Sequence, residues 1–245
     1  MHERLIERAS SDSVLDSHWE EGGARVTPSG LFRLNGFALV LAAAVFAVAE
    51  VIAFSIFAAQ GKGYDLAEVA TGGAFFLQSL LTLFAGTLLL GGLVGFYLGQ
   101  SHAAGRLGLV GFLVAFFGTA LVVGDFYANT FVTPLVAQGA PEFLDDPLSG
   151  MMQVWLPFSF GVLAFSWLPL AAVTLRAGVY PRGASWFLLV GAVLALVPFP
   201  LANLPFYGAL AWAGLRLRLL RTRDDAPSGR RGSKKKPRRR KRPRR

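Results

Sequence analysis

An all-α membrane protein, a bundle of six transmembrane helices with both termini cytoplasmic, is the fold class this sequence predicts. Three observations lead there. Apolar residues make up 53% of the 245, charged residues only 16%, and mean hydropathy is +0.49, whereas ordinary soluble domains carry about 25% charge. The apolar excess is gathered into six runs, each near the roughly 17–25 residues that a spanning helix needs. The links between those runs alternate between basic and acidic or neutral, as successive crossings require.

Residues 1–33 are polar and mixed in charge and lack a sustained apolar stripe, which reads as a cytoplasmic leader. The first apolar run is about 24 residues long, too long for the roughly 7–15 of a signal-peptide core, so no cleaved signal is expected. Spans are expected at Leu34–Ala58, Gly73–Leu98, Leu107–Val132, Met151–Leu175, Ala184–Phe199 and Leu204–Leu220, making 34–220 the transmembrane domain. The last two need an argument. One helix from Trp186 to Leu217 would run about 48 Å, against about 30 Å of hydrocarbon. Pro198, Pro200 and Pro205 interrupt it, with Asn203 among them, so two short helices in a tight hairpin fit better.

Charge sets the orientation. Arg25 and Arg33 flank the first span, His102 and Arg106 lie between the second and third, and Arg176 and Arg182 between the fourth and fifth. The opposite links carry Lys62 with Asp65 and Glu68, then Glu142, Asp145 and Asp146, then no charge. The positive-inside rule therefore puts both termini in the cytoplasm. The net charge of +9 hides an asymmetry. From Arg216 onward sixteen Lys/Arg face two Asp, and the rest of the chain has eight against thirteen acids, so the tail is +14 and the remainder −5.

The polybasic tail, 221–245, ends in "GSKKKPRRRKRPRR" and is too polar and proline-rich to pack a core, so it is expected to be disordered. Its favoured partner is anionic lipid headgroups of the bilayer, at roughly 1 kcal/mol per basic residue near the surface. Nucleic acid or the ribosome is a less favoured partner, because no base-reading module accompanies the tail. A topology determinant without a partner is the third reading.

Within the spans, Gly91, Gly95 and Gly99 recur four apart, a small-residue pattern that lets a neighbouring helix approach closely. Gly111, Ala115 and Thr119 in the third span and Gly191 and Ala195 in the fifth repeat the pattern. Packing within one bundle is favoured over a homodimer seam. Trp155, Trp167, Trp186 and Trp212 fit interface belts or lipid-facing packing.

The costly residues are Glu50 and Asp125, since an ionised acid facing lipid costs a few kcal/mol or more. Counted from the cytoplasmic ends, they lie about 24 Å and about 27 Å up their helices. Gln78 and Thr82 enter at that level from the second span, Asn129 lies one turn beyond Asp125, and Asn203 sits in the outer hairpin. With no Lys, Arg or His inside the membrane, the acids must be protonated, hydrogen-bonded, hydrated or bound to a cation. One reading is an outward-facing pocket for a cation, proton or amine. The other, which the sequence alone favours, is two acids near the interface that reach headgroup water and tie helices together.

Catalytic signatures are missing. His2, His18 and His102 have no metal-ligand spacing, there is no cysteine, and no phosphate loop or nucleophile elbow occurs. No cofactor, no metal and no enzymatic activity are expected. The runs "AGRLGLVGFLVAFFGTALVVGDF" and "TLRAGVYPRGASWFLLVGAVLALVP" resemble uncharacterised six-span membrane proteins of high-GC bacteria, over roughly Leu31 to Leu220. The resemblance implies a helical bundle in a bacterial cytoplasmic membrane and transfers no site residues. The favoured function is a small-solute or cation binding or transport protein. A structural or regulatory component that presents its tail to lipid or nucleic acid is the alternative, and the absence of a clear internal repeat weakens transport.

Overall fold

A computed structural model describes residues 28–60, 65–145, 151–197 and 201–220, so the leader as far as residue 27 and the tail lie outside the described residues. Among these residues the regular structure is helical, with no strand. The elements are α1 (Pro28–Gln60), α2 (Leu66–Ala70), α3 (Gly73–Tyr127), a π-helical turn (Ala128–Val132), α4 (Thr133–Gly139), α5 (Glu142–Asp145), α6 (Met151–Ala177), α7 (Arg182–Leu194) and α8 (Leu204–Leu220). Two helical runs, Gly30–Gln60 and Gly73–Gly139, are long and apolar enough to cross a membrane.

Two expected boundaries move. Helix α1 begins at Pro28, so the last residues assigned to the leader belong to it. Proline suits a first helical position because its fixed φ is already helical and its missing N–H would have no partner there. The link expected between the second and third spans is absent, because α3 runs through it with one non-helical residue, Gly105 (φ 57°, ψ −150°). That backbone is open to glycine and costly to other residues. The chain reverses there. A Cβ on Gly86 would touch Val123 and Phe126, and Tyr97 stacks on Phe112 with ring centroids 4.6 Å apart, so arms 73–104 and 106–127 lie antiparallel side by side.

Beyond Tyr127 the helix widens into the π turn, with the Thr133 amide donating to the Ala128 carbonyl five residues back. Pro134 follows directly. It has no N–H to offer the Thr130 carbonyl, and its ring would clash there in a tighter helix. The Thr130 hydroxyl bonds the Phe126 carbonyl at 2.7 Å.

Close helix crossings position everything else. α1 and α8 meet where a Cβ on Gly36 would sit 2.8 Å from the Gly214 carbonyl. α1 meets the first arm of α3 at Gly95, where an added Cβ would fall 2.2 Å from that of Asn35, and Gly99 faces Leu217 and the Tyr180 hydroxyl. Gly91, grouped with these two by spacing, meets nothing within 4 Å and is exposed; Gly92 takes its place against Leu39. The reason is rotational. Residues four apart overshoot a 3.6-residue turn by about 40°, so three of them fan over about 80° of the helix surface. On the other side Gly111 packs on Leu170 and Gly118 on Ser166, bringing α6 against the second arm, and Gly191 packs on Phe206 between α7 and α8.

Trp167 departs from its expected place at an interface belt. It is 1% exposed, in the middle of the core, and its indole N–H donates to the Thr119 hydroxyl at 2.9 Å. Trp186 and Trp212 do lie outside, at 54% and 43% exposure.

The bundle has two unlike ends. At the Gly105 end, the Tyr180 hydroxyl donates to the Phe96 carbonyl at 2.9 Å and the Gln100 amide to Thr174 at 3.0 Å. Burial pushes the Tyr180 phenol above the usual tyrosine range. At the opposite end α2, the start of α3, α4 and α5 assemble a second, smaller core from Ala67, Val69, Ala70, Phe75, Ala137 and Leu144. It caps the main core, which is centred on Leu39, Leu89, Phe96, Trp167 and Leu210. The outside of the bundle is apolar: Leu34, Phe37, Phe117, Leu121, Phe165 and Leu219 are all exposed.

Candidate functional site

Between the main core and its cap lies a cavity of about 690 Å³. Its deep wall is Leu89, Thr119, Leu163 and Phe206, and its cap side is Leu66 and Phe75. All five residues of the expected outer polar cluster, Glu50, Gln78, Thr82, Asp125 and Asn129, line it. They come from three stretches, α1, the first arm of α3, and the end of its second arm with the π turn.

Glu50 is the most heavily bonded. Its Oε1 accepts from the Asn203 amide at 3.1 Å and the Tyr207 hydroxyl at 3.0 Å, and its Oε2 accepts from the Leu201 backbone N–H at 3.3 Å. One α1 carboxyl thereby holds the turn between α7 and α8. That turn carries Leu201 at φ 75°, a conformation that costs a residue with a side chain about 1–3 kcal/mol. The Glu50 bonds hold the backbone there. A carboxylate accepts up to about four hydrogen bonds, so Oε2 keeps a free direction.

Asp125 is buried at 9% exposure. Beside it, Phe126 meets Phe46 edge to face at 6.1 Å, and Phe46 lies flat against Tyr207 at 4.9 Å. These rings form a continuous wall between the two acids' helices. The π turn brings Asn129 and Thr133 onto the same wall, with the Thr133 hydroxyl 3.3 Å from Asn129 Oδ1. Such turns recur at functional sites because they re-aim side chains within a helix.

Four hydroxyls of the cavity already donate to protein acceptors. The hydroxyl of Thr82 donates to the Gln78 carbonyl, that of Ser79 to Gln78 Oε1, that of Thr119 to the Ala115 carbonyl, and that of Tyr207 to Glu50. The Gln78 amide turns back to Thr82 at 3.2 Å. Asn203 Oδ1 is buried without a hydrogen-bond partner. Among the described lining residues there is no Lys, Arg or His. Among all described residues no three His, Asp or Glu gather in a geometry that could hold a metal.

Tyr207, Leu201, Asn203 and the ring wall complete a site of which sequence reasoning named only the acids and amides. Tyr207 had a signal: it follows Asn203 by four residues, one helical turn, and its N–H bonds the Asn203 carbonyl at the start of α8. Leu201 had none, since it contributes through its backbone. No protein-family profile, curated protein or solved structure matches the chain.

Proposed function

We propose that this chain is a multi-pass protein of a bacterial cytoplasmic membrane, with six crossings and both termini in the cytoplasm, and that its cavity binds a small solute entering from the outer side. Two features support the membrane part. In the two long apolar helical runs only 28% and 33% of the most apolar stretch is buried inside the protein, whereas a soluble core helix would be mostly buried. Apolar surface on that scale marks contact with lipid or a partner. Among the described residues the basic Arg33, Arg106, Arg176, Arg182 and Arg218 fall at the Gly105 end and the acidic Asp65, Glu68 and Glu142 at the cap end.

The solute reading is carried by one observation: a cavity of about 690 Å³ in which both costly acids face the same space. Ligand sites span about 300–1,000 Å³ and combine apolar walls with a few placed polar groups, which describes this lining. Acids serving only as interface anchors would need no cavity behind them.

The chain has no cysteine, so single cysteines report cleanly. On intact cells a membrane-impermeant maleimide should label Phe143→Cys and leave Ala103→Cys unlabelled until permeabilisation. The reverse pattern would overturn the orientation. Ala53→Cys, inside the cavity, should react slowly and be protected by a bound solute. If no solute of any charge protects it, the binding reading fails.

A further inference from the structure

We infer that the solute is a primary organic ammonium, its charged head on Glu50 and its apolar body against the ring wall. This deepens the binding function proposed above and rests on it.

The argument is one of elimination by chemistry. An anion finds no cationic side chain among the described lining residues and meets two carboxyl groups. A hard metal ion asks for about six to eight oxygen ligands around one point, and among the described residues no three His, Asp or Glu gather to supply the charged ones. A space of about 690 Å³ is also far larger than a bare ion fills. A neutral apolar solute would fill the walls but bring no counter-charge to Glu50, whose partners are the neutral Asn203, Tyr207 and Leu201 groups.

An ammonium answers each feature. It brings three N–H donors and no acceptor to a site where the Thr82, Ser79, Thr119 and Tyr207 hydroxyls already donate to protein acceptors. Glu50 Oε2 carries one bond, the 3.3 Å contact from Leu201, and has room for a second donor. Phe46, Phe126 and Tyr207 line the same space and give the apolar body an aromatic wall to lie against. The remaining walls, Ile56, Leu66, Leu89 and Leu163, suit an aliphatic or aryl body. Together these define an amphiphilic amine.

The test uses the full chain in lipid nanodiscs at neutral pH, with melting temperature and protection of Ala53→Cys as readouts. Four probes share one body and differ in the head: phenethylammonium, phenethyltrimethylammonium, 2-phenylethanol and 3-phenylpropanoate. Sodium chloride is the fifth. Phenethylammonium should raise the melting temperature saturably and protect the cysteine, with the alcohol and the acid at least tenfold weaker and salt without effect. Glu50→Gln should weaken phenethylammonium at least tenfold. Because Glu50 also holds the α7–α8 turn, Ala53→Phe gives an independent check: it fills the cavity, leaves the Glu50 bonds alone, and should abolish the shift. Equal binding of the alcohol, or a shift from sodium alone, overturns the ammonium while leaving a binding cavity. Equal binding of the trimethyl analogue overturns recognition through N–H donors. No effect from any probe on a folded protein overturns the inference together with the reading beneath it.

Discussion

The Tyr207 hydroxyl donates to Glu50 Oε1 at 3.0 Å while its ring lies 4.9 Å from that of Phe46, nearly parallel to it. Phe46 and Glu50 are one helical turn apart on α1, so a single α8 side chain grips two successive turns of its neighbour, one by dispersion and one by a hydrogen bond. The two contributions separate by substitution. Tyr207→Phe keeps the stack and loses the donor to a carboxyl, which should cost about 1.5–3 kcal/mol. Tyr207→Leu should cost about 0.5–1.5 kcal/mol more, through the lost stacking. Thermal unfolding in detergent reads both. Equal losses would mean the ring contact contributes nothing.

The glycines make a graded prediction. Gly105→Ala meets no crowding, so its cost is conformational alone, about 1–3 kcal/mol. Gly95→Ala drives a Cβ into Asn35 and should cost at least as much, about 1–3 kcal/mol or more, by overpacking. Gly91→Ala should be neutral or slightly stabilising, since alanine is the better helix former. A loss at Gly91 equal to that at Gly95, read by the same melting series, would mean a second copy covers that face.

Trp167 and Thr119 predict an asymmetry. Thr119→Val keeps the shape but leaves the indole N–H buried without its acceptor, at about 1–3 kcal/mol. Trp167→Phe removes the donor together with part of the ring. It opens a gap against Phe206, whose ring stands edge-on 4.8 Å away, and should cost more than Thr119→Val, which leaves the packing in place. Denaturant titration of both variants checks the order. A neutral Thr119→Val would show that water replaces the lost acceptor.

Much of this architecture was legible because helix rise is constant. Counting residues from the charged links put Glu50 and Asp125 at one depth, and the structure lines one cavity with both. Proline spacing likewise marked the break between α7 and α8. Other features left weaker traces. Gly105 looked like any other glycine in a glycine-rich chain, because a one-residue reversal has no loop composition. The cap built by α2, α4 and α5 was read as links, since helices of four to seven residues are too short to show a period. Trp167 misled because an apolar face does not reveal whether it meets lipid or protein. In a membrane both sides of a helix are greasy, and only a hydrogen-bond partner 48 residues away distinguishes them.

The two acids give the sharpest test of the shared cavity. A sphere of about 690 Å³ is roughly 11 Å across, so two charges on its wall interact by about 1.5 kcal/mol at an effective dielectric near 20. That exceeds the roughly 0.3–0.5 kcal/mol within which independent sites add. Glu50→Gln and Asp125→Asn each remove that repulsion whole, and the double variant removes it only once. The double should therefore be less stable than the sum of the singles predicts, by about 1.5 kcal/mol. Glu50→Gln also weakens the bonds to Asn203, Tyr207 and Leu201, but that loss is common to the single and the double and cancels in the cycle. Measured at neutral pH, additivity within about 0.5 kcal/mol would mean that the acids do not meet as two charges across a common space. A saturating amine should shrink the coupling in wild-type background, because a bound cation already screens the repulsion that the substitutions relieve.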